Sequence, residues 1–248
     1  MYTLKYRIAD MIVEIESLYR DIHFMCKDYY CQEDVPAQIT IRTTQRDIEQ
    51  ERIKSEQEAA MEGIAPIDYE AGALEITAIY RKLAKEMLME HDILVFHGSA
   101  IAADDEAVLF TAKSGTGKST HTRLWREMLG ERCYMVNDDK PLLRVGETLT
   151  EVCGTPWDGK HHLSTNKIVP LRAICILERG EANEITRLDP KEALPMLLQQ
   201  SYRAENPKVM LQLLKVIDKM TKSVAFYRLK CNMDSEAAEL SYKTMLGK

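Results

Sequence analysis

No run of about 18 apolar residues occurs in the 248-residue chain, so a membrane span is not expected and no membrane partner is implied. A C-x-x-C pair is also missing. The six cysteines, Cys26, Cys31, Cys133, Cys153, Cys175 and Cys231, are scattered, which argues against a metal knuckle or redox motif and for reduced, packed thiols. Nor is there an excess of positive charge: the formal net charge of −6 offers no footprint for a polyanion, and nucleic acid is not an expected partner. The opening stretch MYTLKYRIADMIVEIES carries charges through any apolar region and has no small-residue cleavage site. It does not read as a secretion signal, and a cytoplasmic location is expected. Internal repeats and low-complexity tracts are lacking as well.

What remains is an ordinary globular composition, 45% hydrophobic and 29% charged, at a length that buries one good-sized core with a small appended part. The reading places an N-terminal strand and helix subdomain at 1–92 and the main domain at 93–248. YTLKYRI, MIVEI and AQITIRT alternate as strands do, around an aromatic piece, LYRDIHFMCKDYY, of helical character. RDIEQERIKSEQEAAMEG is highly charged and reads as a solvated helix or a loop. Ile76, Ile79, Leu83 and Met87 then recur at helical spacing, the mark of a core-facing helix.

The middle of the chain reads as a sheet interrupted by one helix. ILVFHGSAIA, EAVLFTA and CYMVND have strand length; PLLRVGETLTEV predicts a hairpin turning at Gly146, and RAICILERG with NEITRL another. Beyond about residue 188 the character turns helical. Asp189, Pro190 and Glu192 form a start signal, with Pro195 predicting a kink or a restart, and Asn206–Pro207 opens a helix carrying Met210, Leu213, Ile217 and Met220. A strand, SVAFYRL, and a last helix from about Asp234 follow. The expected class is α/β: a phosphate-loop sheet with a central helix, a β-rich N-terminal part and a helical C-terminal part.

The most specific stretch is FTAKSGTGKSTHTRLW, residues 110–125. In G-x-x-x-x-G-K-[ST], backbone N–H groups and a helix N-terminus surround phosphates, the lysine reaches the outer phosphates and the hydroxyl ligates magnesium. Here the run A-K-S-G-T-G-K-S puts Ser114, Gly115, Thr116, Gly117, Lys118, Ser119 and Thr120 around the phosphates of Mg-ATP or Mg-GTP. An apolar strand runs in and a helix runs out, as the motif requires. Ala112 stands where glycine is usual and resists a positive φ, so a differently shaped loop entrance is expected.

One helix later the strand CYMVN ends in Asp138 and Asp139. Acids ending one strand and a phosphate loop ending another can meet at the carboxyl edge of a sheet. Two carboxylates there suit two jobs, holding Mg²⁺ and taking the proton of an attacking hydroxyl. The pattern alone leaves open which aspartate does which.

The order of these features, Phe96-His97-Gly98 at a strand end, then S-G-T-G-K-S, then a strand ending in adjacent aspartates, resembles the catalytic domain of bacterial HPr kinase/phosphorylase. It is also similar to the phosphate-loop core of phosphoenolpyruvate carboxykinase. GTPWDGKHHLSTNKIVPLRAICILERG resembles HPr-kinase-like proteins and peptide-serine kinases, and the likeness covers roughly residues 93–180. It implies an ATP-dependent kinase acting on a serine-type hydroxyl of a peptide, protein or small molecule. By that resemblance Asp138 is the general base, Asp139 and Ser119 hold Mg²⁺, and His97 sits beside the phosphates, pairing with the base. HPr kinases assemble into oligomers, so a homo-oligomer is an expectation too.

The arginine- and glycine-rich signature loop of those enzymes has no clear equivalent; TPWDGK occupies the comparable region. Lys160 there is a candidate for steadying the transferring phosphoryl group, and Trp157 either lines a substrate surface or packs a corner. His161 and His162, being adjacent, point apart and make a poor metal pair. The rival readings are a nucleotide-binding regulator that lost the chemistry, an NTP hydrolase, and a carboxykinase, for which the chain is short.

Overall fold

The structure, a computed structural model, describes residues 1–113, 115–202 and 206–247. The chain divides into two compact units, residues 1–86 and 87–248.

In the first unit the alternating segments are strands, as expected. β1 (Tyr2–Ile8) and β2 (Met11–Ser17) form an antiparallel hairpin, and β3 (Ile39–Arg42) runs parallel to β2. The hairpin turns on Ala9 and Asp10, at φ 53° and 63°, the left-handed pair that a two-residue turn of this twist needs. The aromatic piece gives a short helix, α1 (Asp21–Met25), and a single 3₁₀ turn. The unit is not β-rich, contrary to the sequence expectation. Charged as it is, 45–62 folds as α2 (Gln45–Glu62) because Thr44 and Asp47 close a capping box at its start and Gly63, at φ 69°, ends it. α3 (Ala71–His91) then runs across the unit boundary. Its buried residues include Leu74, Ala78, Ile79, Leu83, Ala84, Met87 and Leu88, with Glu75 also covered; Ile76 is only partly covered, one step off the expected stripe.

Among the described residues the second unit holds a sheet of nine strands: β4 (Ile93–Val95), β5 (Ser99–Ala103), β6 (Glu106–Thr111), β7 (Cys133–Asn137), β8 (Leu142–Val145), β9 (Thr150–Cys153), β10 (Ile168–Arg179), β11 (Glu184–Leu188) and β12 (Ala225–Cys231). The order is β4-β8-β9-β10-β6-β5-β7, with β12 also on β10 and β11 outside β12. β8 and β9 form the hairpin expected at Gly146. The other expected hairpin does not form. After β11 the chain makes α5 (Pro190–Gln200) and α6 (Pro207–Met220), then returns as β12 between β10 and β11, parallel to one and antiparallel to the other. Phe226 and Leu229 of β12 are buried, so the inner position goes to the more apolar strand.

Helix signals were legible at their starts. Asp189 and Glu192 close the capping box of α5, and Asn206 caps α6 by accepting from the Val209 N–H at 3.1 Å. α5 continues through Pro195 as one helix. On α6 the covered face is Val209, Leu213, Val216, Ile217 and Met220, while Met210 lies outside it. α4 (Lys118–Leu129) packs against β5, β7 and α7 (Ser235–Leu246). At that core Trp125, fully buried, meets Phe110 and Tyr242 edge to face at 5.5 Å each and donates its Nε1–H to Ser241 Oγ at 2.8 Å.

Two consequences position the site. β5 is antiparallel to both β6 and β7, so β6 and β7 run the same way and end at the same edge of the sheet. Among the described residues no helix is long and apolar enough to cross a membrane.

Candidate functional site

β6 delivers the chain to the glycine-rich turn. Ala112, fully buried, packs its methyl among Phe110, Leu124 and Trp125 and does not adopt a positive φ. The unusual alanine therefore serves as core, and the left-handed positions fall later, at Gly115 (φ 74°) and Gly117 (φ 124°). Ser114 lies outside the described residues. Thr116 folds back on the turn, its N–H and its hydroxyl both donating to Lys113 O, at 3.2 and 2.7 Å. Arg179, at the end of β10, donates from Nη2 to Gly115 O at 2.7 Å.

α4 begins at Lys118, and its first intrahelical bond of this turn runs from His121 N–H to Gly117 O at 2.9 Å. The preceding N–H groups have no intrahelical acceptor and form the positive end of the helix dipole. Ser119 is exposed and Thr120 partly so in this first turn. Lys118 is half-buried; desolvation lowers its pKa, opposed by the charge of Asp139. That interaction joins the two ends of the site: the lysine after β6 feels the acid after β7.

The acid turn is wired from buried polar groups. Asn137, fully buried at the end of β7, accepts with Oδ1 from the N–H groups of Asp139 (2.9 Å) and Lys140 (2.7 Å). Its amide donates to Thr155 O and Oγ1, both at 3.1 Å, and to Trp157 O at 3.4 Å. Thr155 Oγ1 lies 2.8 Å from Lys140 O, and Ser99 Oγ donates to Asp138 O at 2.9 Å. The two carboxylates thereby leave the turn in fixed and different surroundings.

Asp138 takes the Gly159 N–H on Oδ1 at 2.6 Å and has no cation paired with it among the described residues. Its pKa is raised, chiefly by desolvation, partly offset by the Gly159 bond, with the charges of Asp158 and Asp139 adding to the rise. Asp139 has His97 Nε2 at 3.2 Å from Oδ1 and Lys140 Nζ at 3.2 Å from Oδ2. Desolvation works against its charge, but His97 and Lys140 outweigh it and hold the pKa down at about 2. His97 thus pairs with Asp139 and not with Asp138, as the resemblance had implied. Adjacent acids are driven in opposite directions, the arrangement that separates a proton acceptor from a permanent charge.

The turn after β9 is partly what the sequence suggested. Trp157 is 7% exposed and packs a corner instead of lining a surface. Lys160 is exposed at the tip of the same turn as Gly159. His161 is exposed, and His162, at φ 49°, turns to Asp158 Oδ1 at 3.0 Å, so the two histidines share no ligand position. Arg123 pairs with Glu127 in the exposed i,i+4 manner. Sequence reasoning missed Asn137, Thr155, Ser99, Gly159 and Arg179. An asparagine ending a strand before two acids is a turn signal that pointed to the first; Arg179 carried none.

The second unit is a mixed α/β domain in which a glycine-rich strand-to-helix turn and an acid pair share one sheet edge. The chain belongs to the ScmC family: the family model described as SynChlorMet cassette protein ScmC matches residues 68–239. The Hpr(Ser) kinase/phosphatase from Coxiella burnetii is similar in structure at 12% identity and a TM-score of 0.30, over 51% of this chain and 90% of that one. No curated protein matches the sequence.

Proposed function

We propose that this chain is an ATP-dependent kinase of the HPr-kinase-like type, transferring the γ-phosphoryl group to a serine-type hydroxyl of a peptide, protein or small molecule. One observation carries the reading: Lys118 and two carboxylates of opposite pKa shift are gathered where β6 and β7 end. Phosphoryl transfer is mostly positioning and charge neutralisation, with one group to receive a proton.

In this reading the N–H groups of the turn from Gly115 to Lys118 and the start of α4 cradle the phosphates, and Lys118 neutralises the outer ones. The half-buried state of Lys118 strengthens its field at that point. The acceptor oxygen bonds to the γ-phosphorus as the bond to the β-γ bridging oxygen breaks; Asp138 receives the hydroxyl proton and ADP departs. Its raised pKa suits a base, since a proton acceptor works best with a pKa near the working pH. Gly159 N–H holds one oxygen of that carboxylate and fixes its orientation.

Asp139 and Ser119 would hold Mg²⁺, which supplies charge neutralisation at the phosphates. The donor chemistry fits: Mg²⁺ takes oxygen ligands, commonly one or two from protein with phosphate and water completing the shell. Such a site needs no cluster of three ligating side chains, and none occurs among the described residues. Lys160, on the turn that carries Gly159, would add positive charge near the transferring group.

A nucleotide-binding regulator is the second reading, and one feature favours it: both oxygens of Asp139 are already engaged, by His97 and Lys140. A mass-resolved assay with γ-labelled Mg-ATP, free serine and serine-containing peptides separates the two. The kinase predicts label on an acceptor, abolished by Lys118→Ala and reduced about 10²- to 10⁴-fold by Asp138→Asn with ATP binding retained. Unchanged transfer by Asp138→Asn sinks the base assignment, and tight ATP binding with no labelled acceptor favours the regulator.

A further inference from the structure

A cavity of about 480 Å³ opens on the side of the glycine-rich turn, walled by Gly115 and Gly117, by Leu124 of α4, and by Leu177 and Arg179 of β10. Cys231, the last residue of β12, and Asn232 and Met233 just beyond it complete the wall. Its size is that of small-molecule sites, which run from about 300 to 1,000 Å³. The acids of the turn after β7 are not part of it, so it belongs to the far side of the phosphate loop.

His121, 3% exposed, is also among the residues of this wall. Ser241 Oγ gives its single proton to Ala238 O at 3.0 Å and receives the Trp125 Nε1–H at 2.8 Å. His121 Nε2 lies 3.0 Å from the same oxygen. Its Nδ1 is fully buried and has no hydrogen-bond partner among the described residues. Burial drives the ring pKa down to about 4, so the imidazole is neutral near pH 7.

We infer that this cavity is the nucleoside pocket, taking the purine base of the nucleotide whose phosphates the adjoining turn holds. The inference rests on the phosphate-loop reading and adds to it the place and chemistry of the base. Leu124 and Leu177 supply apolar faces for a flat ring. Met233, 76% exposed, stands over the rim, where a flexible thioether can close on a ring. Asn232 contributes shape more than recognition. Its amide donates to Glu181 O and Asp234 Oδ2, and its Oδ1 accepts from Asp234 N–H, which pins it in place. Arg179 links pocket to loop, lining the cavity while bonding Gly115 O.

Calorimetric titration of the full chain with Mg-ADP and, separately, with Mg-pyrophosphate tests this, because the pair shares the diphosphate and differs in the nucleoside. The expected result is ADP at least about tenfold tighter. Cys231→Trp, which fills the cavity, should erase that margin, and Met233→Ala should shrink it, both leaving pyrophosphate affinity as it was. Retained pyrophosphate binding also certifies that each variant is folded. Equal affinity of the unaltered chain for the two ligands overturns the pocket while sparing the phosphate loop. A margin that survives both substitutions also overturns it, placing the base elsewhere. Failure of both ligands to bind, with Lys118→Ala no different, overturns the phosphate-loop reading and the pocket with it.

Discussion

Two turns leave the same edge of the sheet and are held in different ways. The acid turn, residues 137–140, is tied by Asn137, Thr155 and Ser99, each at most 1% exposed, through bonds to its N–H groups and carbonyls. The glycine-rich turn before α4 folds on itself through Thr116 and is tied outward, among the described residues, by the exposed Arg179. Buried, fully satisfied polar networks fix orientation, since every alternative leaves an unpaired group. Glycines at positive φ and an exposed tie fix far less. In the kinase reading the rigid turn carries the groups whose direction matters to the chemistry, and the looser one wraps phosphates whose own oxygens complete its hydrogen bonds.

The comparison breaks most directly at Gly159. A Cβ added there would sit 3.0 Å from Asp138 Oδ2 and 3.2 Å from its Cγ, so the carboxylate must move. Gly159→Ala should lower transfer roughly 10- to 100-fold, since the carboxylate shifts by a fraction of the ångström that costs about 100-fold, with ADP affinity within about twofold of the unaltered chain. Steady-state kinetics beside ADP titration reads both. An equal loss in binding and transfer would mean that the two turns are not independent.

A smaller effect follows from the opposed pKa shifts. Asp138 must be unprotonated to take a proton, and its pKa is raised, so transfer should fall about tenfold per pH unit below a value higher than the ordinary aspartate range. Asp139, held at about 2, stays charged through that window and adds no second limb. The stability signs are opposite. The raised pKa of Asp138 means its charge opposes folding above the ordinary value, so Asp138→Asn should not destabilise the chain at pH 7. Asp139 contributes stability that is present above the ordinary aspartate pKa and is lost as pH falls toward about 2. A rate profile with its acid limb in the ordinary carboxylate range would remove Asp138 from the role.

How far the sequence reached divides along the same line. The strand into the glycine run, the helix out of it and the strand ending in two acids were legible because each is a local pattern of a few residues. The roles of Asp138 and Asp139 were not, because what separates them is Gly159, His97 and Lys140, two of them 20 or more residues away along the chain. The insertion of β12 between β10 and β11 was hidden for a related reason: a four-residue gap between strands reads as a hairpin, and only burial of Phe226 and Leu229 favours the distant strand. In the first unit the composition of 45–62 left a helix and a loop both open, since a charged surface helix and a loop differ chiefly in their caps.

The smallest expected effect lies on the looser turn. Arg179→Ala removes the Nη2 bond to Gly115 O but leaves β10 and the acid turn untouched. An exposed bond to a neutral carbonyl contributes about 0.5–1.5 kcal/mol, so ADP affinity should fall roughly 2- to 10-fold with the rate at saturating nucleotide unchanged. Arg179→Lys, which keeps charge but loses the planar fork, should recover only part of that loss. If the rate at saturation fell instead, the glycine-rich turn would be setting the geometry of transfer as well as of binding, and its looseness would no longer distinguish it from the acid turn.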